Sequence, residues 1–194
     1  MIEGACGMMQ LGIVAQLMTA EPNFNDGPPW HGKAIANLLL SWFDADSQAA
    51  TPLKLQKVIY FCHLEFMKQA GLPLVKQEFE AWKYGPVLPA VYEQFKHFSK
   101  RPITGRAVQF DPLTATESTP TAELNVAHHN IVHEAYRIYA QIDEWTLSDI
   151  SHHPAGPWAE ALQEFENGSN INRRISNRLI TRWLACGKLK KSLD

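Results

Sequence analysis

With 194 residues, 45% of them hydrophobic and 20% charged, the chain is long enough to bury a core as one globular domain. Its three cysteines, Cys6, Cys62 and Cys186, are odd in number and form no CxxC pair. That argues against a disulfide framework and a cysteine zinc site, and fits a reducing cytoplasm. The net charge of −2 is unevenly spread: residues 1–170 hold 11 Lys and Arg against 19 Asp and Glu, and residues 171–194 hold 7 against 1. The basic charge is therefore local and is not the footprint of a whole nucleic-acid-binding domain.

No Lys or Arg precedes Lys33, and the apolar runs near the start are short, so neither a secretory signal nor a membrane span is expected. Residues 1–30 read as a poorly patterned N-terminal extension, with a short helix over Met8–Met18 and a Pro- and Gly-rich loop before Trp30. Ile35, Leu38, Leu39, Trp42 and Phe43 place a first helix over Trp30–Asp44. Thr51, Pro52 and Gly71 then bracket a helix as N-cap, first helical position and C-terminal stop. Between them apolar residues run round most of the circumference, which predicts a buried central helix containing Cys62.

Beyond Gly71 the period changes. KQEFEAWKYGP reads as a short strand ending at Gly85 and Pro86, and Pro89 opens a helix through Val91, Tyr92, Phe95 and Phe98. RAVQF, at 106–110, alternates weakly and is expected to pair with that strand, followed by a turn-rich loop over Asp111–Thr121. Thr121–Ile142 is expected as a long amphipathic helix with the stripe Leu124, Ala127, Ile131, Ala135, Ile138 and Ile142. Shorter helical pieces follow at Trp145–His152 and Trp158–Phe165, broken by Pro154 and Pro157. Asn172–Cys186 closes the domain, and 187–194 form a basic tail. In that last helix Ile171, Ile175, Leu179 and Cys186 make the inward stripe, interrupted by Arg182, while Ile180 and Leu184 lie opposite beside Arg173. The outcome is a mainly α (α+β) fold, a compact helical domain over 31–186 around a buried central helix with a small antiparallel β element.

Two chemistries are open besides protein binding. His129 and His133 stand four apart as in a zinc motif and, with His152, make a metal-dependent hydrolase conceivable, but HNIVHE lacks the glutamate of HExxH. The pair is read as solvated on the helix's polar face, and His152-His153 as a polar helix end. The C-terminal basic helix would suit a nucleic-acid-binding regulator. P-loop, GxGxxG, GxSxG and paired-carboxylate signatures are absent, so no catalytic residue and no cofactor is assigned.

LKLQKVIYFCHLEFM, EAWKYGPVLPAVYEQFKHF, LSDISHHPAGPW and the opening KAIAN together resemble the Panacea domain, also called the SocA-like or GepA-like antitoxin family, over about residues 31–186. Ser151 stands where that family usually has Thr. The resemblance implies a helix-rich, non-enzymatic antitoxin that binds and neutralises a protein toxin encoded beside it. In the SocA-like branch it further implies an adaptor that hands the toxin to a Clp-type protease. DNA is not an expected partner, because the chain has no room for a second, DNA-binding domain. Tyr and Trp are the usual anchors of protein interfaces. The expected toxin-binding residues are Trp82, Lys83, Tyr84, Gly85, Pro86, Val87, Tyr92, Trp158, Ile180 and Leu184, with Arg173, Lys188, Lys190 and Lys191 steering association electrostatically.

Overall fold

The computed structural model describes residues 27–186. Helix α1 spans Gly32–Ala45 and α2 spans Pro52–Ala70. The strands β1, Phe79–Trp82, and β2, Gly85–Val87, are followed by α3, Pro89–Phe95, which runs into a 3-10 turn at Lys96–Phe98. Next come β3, Gln109–Asp111, and β4, Thr116–Ser118. Helices α4, Val126–Tyr139, α5, Glu144–Ser151, and α6, Pro157–Glu166, lead to β5, Arg174–Ile175, and α7, Asn177–Ala185.

The central helix forms for the reasons its sequence advertises. Thr51 accepts the Lys54 amide through its hydroxyl, Pro52 occupies the first turn, and Gly71 closes the helix at φ 69°. Of its 19 residues 14 are buried, Cys62 completely. α1, α3, α4, α5 and α7 all pack around it, and burial pushes the Cys62 thiol pKa well up. The ammonium of Lys54 donates to the carbonyls of Tyr139 and Ile142 at the end of α4, where a cation complements the helix dipole.

Three sequence expectations are corrected. First, the partner of β1 is not 106–110. β1 and β2 form a hairpin with Glu80 opposite Val87 and Trp82 opposite Gly85, while β5 pairs with the other edge of β1, giving the antiparallel order β2-β1-β5. The strand at 109–111 pairs instead with Thr116–Ser118 inside the stretch expected to be loop. The stretch before it is fixed differently: Asn37 of α1 bonds both the amide and the carbonyl of Ala107.

Second, α4 starts only at Val126, where Asn125 caps it by accepting the His128 amide, and its inward face is rotated. Val132, Ala135, Tyr136 and Tyr139 are buried, and Ile138 is exposed. The tyrosines win the core because their rings stack inward while each hydroxyl reaches a carboxylate, Asp46 for Tyr136 and Glu65 for Tyr139.

Third, the last helix starts at Asn177 under a Ser176 cap, because Arg174 and Ile175 join the sheet. Its buried face is Leu179, Ile180 and Trp183, whereas Ile171 and Cys186 are exposed. The expected helix at 8–18 and the tail at 187–194 lie outside the described residues.

Candidate functional site

The β1–β2 hairpin carries the AWKYGP stretch, and side chains from three helices hold its backbone. Trp158 Nε1 of α6 donates to the Trp82 carbonyl at 2.9 Å, and Ser148 Oγ of α5 donates to the Tyr84 carbonyl at 3.0 Å. Lys57 Nζ of α2 donates to the Pro86 carbonyl at 3.2 Å. Gln56 bonds Leu88 twice, accepting its amide at 2.7 Å and donating to its carbonyl at 3.3 Å. Every second residue from 82 to 88 is thus tethered on the same strand-turn-strand path.

Gly85 makes this clamp possible. Its φ is +94°, and a Cβ there would lie 2.4 Å from Ser151 Oγ and 2.5 Å from Lys57 Nζ. Only glycine combines that backbone with that closeness. Lys57 itself is fully buried, and no carboxylate among the described residues pairs with it. Burial alone lowers its pKa to about 7.

On its outer side the hairpin bounds an open groove of about 460 Å³. The opposite walls are the start of α2, with Pro52 and Leu53, the segment from Tyr92 to Lys100, and the start of α5, with Glu144 and Trp145. Two edge-to-face aromatic pairs shape it: Trp82 with Tyr92 at 4.8 Å between centroids, and Tyr84 with Trp145 at 5.9 Å. Tyr84 and Trp145 are 51% and 53% exposed, which is unusual for rings of their size, and Lys83 lies over the Tyr84 ring. The groove's volume falls in the range of ordinary ligand and peptide pockets.

The description "Antitoxin SocA-like, Panacea domain" matches residues 55–159, which contain the hairpin, its clamps and most of the groove. Antitoxin SocA of Caulobacter vibrioides is 34% identical over 148 residues, covering 76% of this chain and 79% of that protein. The chain belongs to the SocA-like antitoxin family. No solved structure matches it.

Within this Panacea-type domain the structure gathers some of the expected binding residues and scatters others. Trp82, Lys83, Tyr84, Val87 and Tyr92 all line the groove. Gly85 and Pro86 are buried and shape it from beneath. Trp158 sits behind the hairpin with its indole N–H spent on Trp82 and its ring 4.1 Å from that of His152. Ile180, expected to bind toxin from the side opposite the inward stripe, is completely buried, and Leu184 packs against the core. Both were misplaced because the last helix begins five residues later than its apolar spacing suggested. Trp145, Leu53, Lys96 and Lys100 were missed: they lie on separate elements, and only the tertiary fold brings them to the hairpin.

The other candidate chemistries lose their geometry. His129 and His133 are not solvated on a polar face. They are half-buried, their rings stacked at 5.5 Å and each set edge-on to Trp42. Among the described residues no group of three His, Cys, Asp or Glu side chains is placed to hold a metal ion. His152 caps α5, and burial followed by the nearby Lys57 lowers its pKa. The basic residues of the C-terminal region are partly spent within the fold. Arg182 pairs with Glu160, Arg174 with Glu78, and Arg173 lies 4.2 Å over the Phe165 ring. Lys188, Lys190 and Lys191 lie outside the described residues. Among the described residues no helix is long and apolar enough to cross a membrane.

Proposed function

We propose that this protein neutralises a protein toxin encoded beside it by binding that toxin through the aromatic groove of the clamped hairpin. Membership of the SocA-like family supports the antitoxin role. The observation that carries the site is the pairing of exposed Tyr84 and Trp145 over a hairpin whose backbone is tethered at each second residue. Rigid, half-exposed aromatic rings are what interface hot spots consist of, because little conformational freedom remains to be lost on binding. The chain acts by binding and carries out no catalysis. The domain extends over 31–186, and the basic residues near the C-terminus, Arg173 and Lys188, Lys190 and Lys191, steer association electrostatically.

Delivery of the bound toxin to a Clp-type ATP-dependent protease is the second step of this proposal. It rests on the family resemblance, and it requires that the toxin be held without being buried from the protease.

The test is co-expression of the adjacent gene with this chain in a host in which that gene alone arrests growth. Growth is expected to return with the wild-type chain and to fail with Tyr84→Ala combined with Trp145→Ala, while both proteins fold. Full rescue by the double variant overturns the groove as the site. Failure of the wild type overturns the antitoxin reading. For the adaptor step, toxin lifetime should lengthen in a strain lacking the protease; an unchanged lifetime leaves neutralisation by occlusion.

A further inference from the structure

The groove's chemistry constrains what fits it, and this inference rests on the antitoxin reading above. Its floor and walls are largely apolar, yet one rim is lined by ammonium groups. Lys83, Lys96 and Lys100 stand along the hairpin and the 3-10 turn, and the stretch KHFSKR at 96–101 contains three basic residues and no acid. Lys96 shares its charge with exposed Glu93, and Lys83 rests over Tyr84. Lys100 has no ion-pair partner among the described residues. The single acid on the opposite wall, Glu144, is occupied by the Thr51 hydroxyl at 2.8 Å. This basic rim sits in a part of the chain, residues 1–170, that carries 11 basic against 19 acidic residues. It is therefore a local reversal of the prevailing charge.

Backbone pairing does not explain recognition here. β2 is the edge of its sheet, but it is buried, and the Pro86 carbonyl and both Leu88 backbone groups are already bonded by Lys57 and Gln56. A partner cannot add a strand, so it must be read through its side chains.

We propose that the partner segment seated in this groove is acidic and apolar: large apolar side chains between the aromatic pairs, flanked by aspartate or glutamate facing the lysine rim. Burying the apolar groups supplies the affinity, and the carboxylates set register and speed encounter.

The full-length chain is used to pan a phage-displayed library of random dodecapeptides, and the enriched sequence is synthesised and titrated. Enrichment of Leu, Phe or Trp together with Asp or Glu is expected. The peptide should bind Trp145→Ala, and separately Lys83→Glu combined with Lys100→Glu, at least about tenfold more weakly. Arg137→Glu on α4, an exposed change away from the groove, should bind as wild type does. Thermal unfolding of each variant excludes loss of the fold. Enrichment of basic sequences, no enrichment, or equal affinity for all variants overturns the inference, as does a dimer of this chain that excludes the peptide. Growth rescue by the wild type without acidic-apolar enrichment removes this inference alone. Enrichment without rescue removes the antitoxin reading and leaves the groove chemistry standing.

Discussion

Replacing Lys57 with methionine separates what the buried lysine does for the fold from what it does for the hairpin. The side chains are alike in length, so the change removes a charge and a donor and little volume. Burial lowers the Lys57 pKa from 10.5 to about 7. Between those values the unfolded chain holds a proton that the folded chain does not. Stability is therefore greatest above pH 10.5 and falls as the pH drops, at about 1.4 kcal/mol per unit, until the folded lysine is itself protonated near 7. At pH 7 the accumulated cost is about 4 kcal/mol.

Against this, methionine leaves the Pro86 carbonyl without its donor, which costs about 1–3 kcal/mol. Lys57→Met is thus expected to be more stable than wild type by about 1–3 kcal/mol at pH 7 and less stable near pH 10, the two curves crossing between. Urea unfolding followed by tryptophan fluorescence across that range measures it. At the same time the loosened hairpin should release the toxin about tenfold faster. Parallel stability curves, or a variant that is weaker at pH 7, would refute the argument that the lysine is held uncompensated for the hairpin's sake.

His63 is fully buried, accepting the Val75 amide at Nδ1 and facing Asn177 Oδ1 from Nε2. Burial, partly offset by the Asn177 bond, lowers its pKa to about 4, so the wild type should lose about 3 kcal/mol between pH 6.5 and 4 as the unfolded chain protonates first. In His63→Gln that component of the acid slope should vanish, and an unchanged slope would place the loss elsewhere. Gly85→Ala should cost at least about 2 kcal/mol, since it forces both a strained backbone and contacts with Ser151 and Lys57; a melting temperature within a degree or so of wild type would contradict the clamp. Reversing Lys188, Lys190 and Lys191 to Glu should slow toxin association at low salt and leave the complex's lifetime unchanged, so a shortened lifetime in surface plasmon resonance would make these residues contacts and not steering charges.

The central helix was legible in the sequence because its start, stop and apolar circumference are local signals, and each proved to be used as written. The hairpin was half legible. Its glycine and proline marked a turn, but strand pairing is decided by residues distant in the chain, and β5 is only two residues long. The rotation of α4 was hidden by chemistry. Tyr136 and Tyr139 look polar in a hydrophobic stripe until Asp46 and Glu65 are found beside their hydroxyls. The groove was legible in its hairpin and in Tyr92 of α3, while Trp145 and Lys100 reach it only once α5 and the 3-10 turn have packed.

The motifs that identify the family have one shared task that their separation in sequence conceals. LKLQK supplies Gln56 and Lys57, LSDIS supplies Ser148 and Ser151, and PW supplies Trp158. Four of these five bond the backbone of AWKYGPVL, and the fifth, Ser151, packs against its glycine. Such residues hold a conformation: their bonds fix the platform, and apart from Gln56 they do not line the groove. In the proposal above, partner choice falls instead to outward groups of the same platform, the exposed Tyr84 and Trp145 and the lysines that line the groove. The buried Lys57 fits this division: its amine holds the turn from which Tyr84 projects, and the burial that lowers its pKa is expected to cost the fold stability.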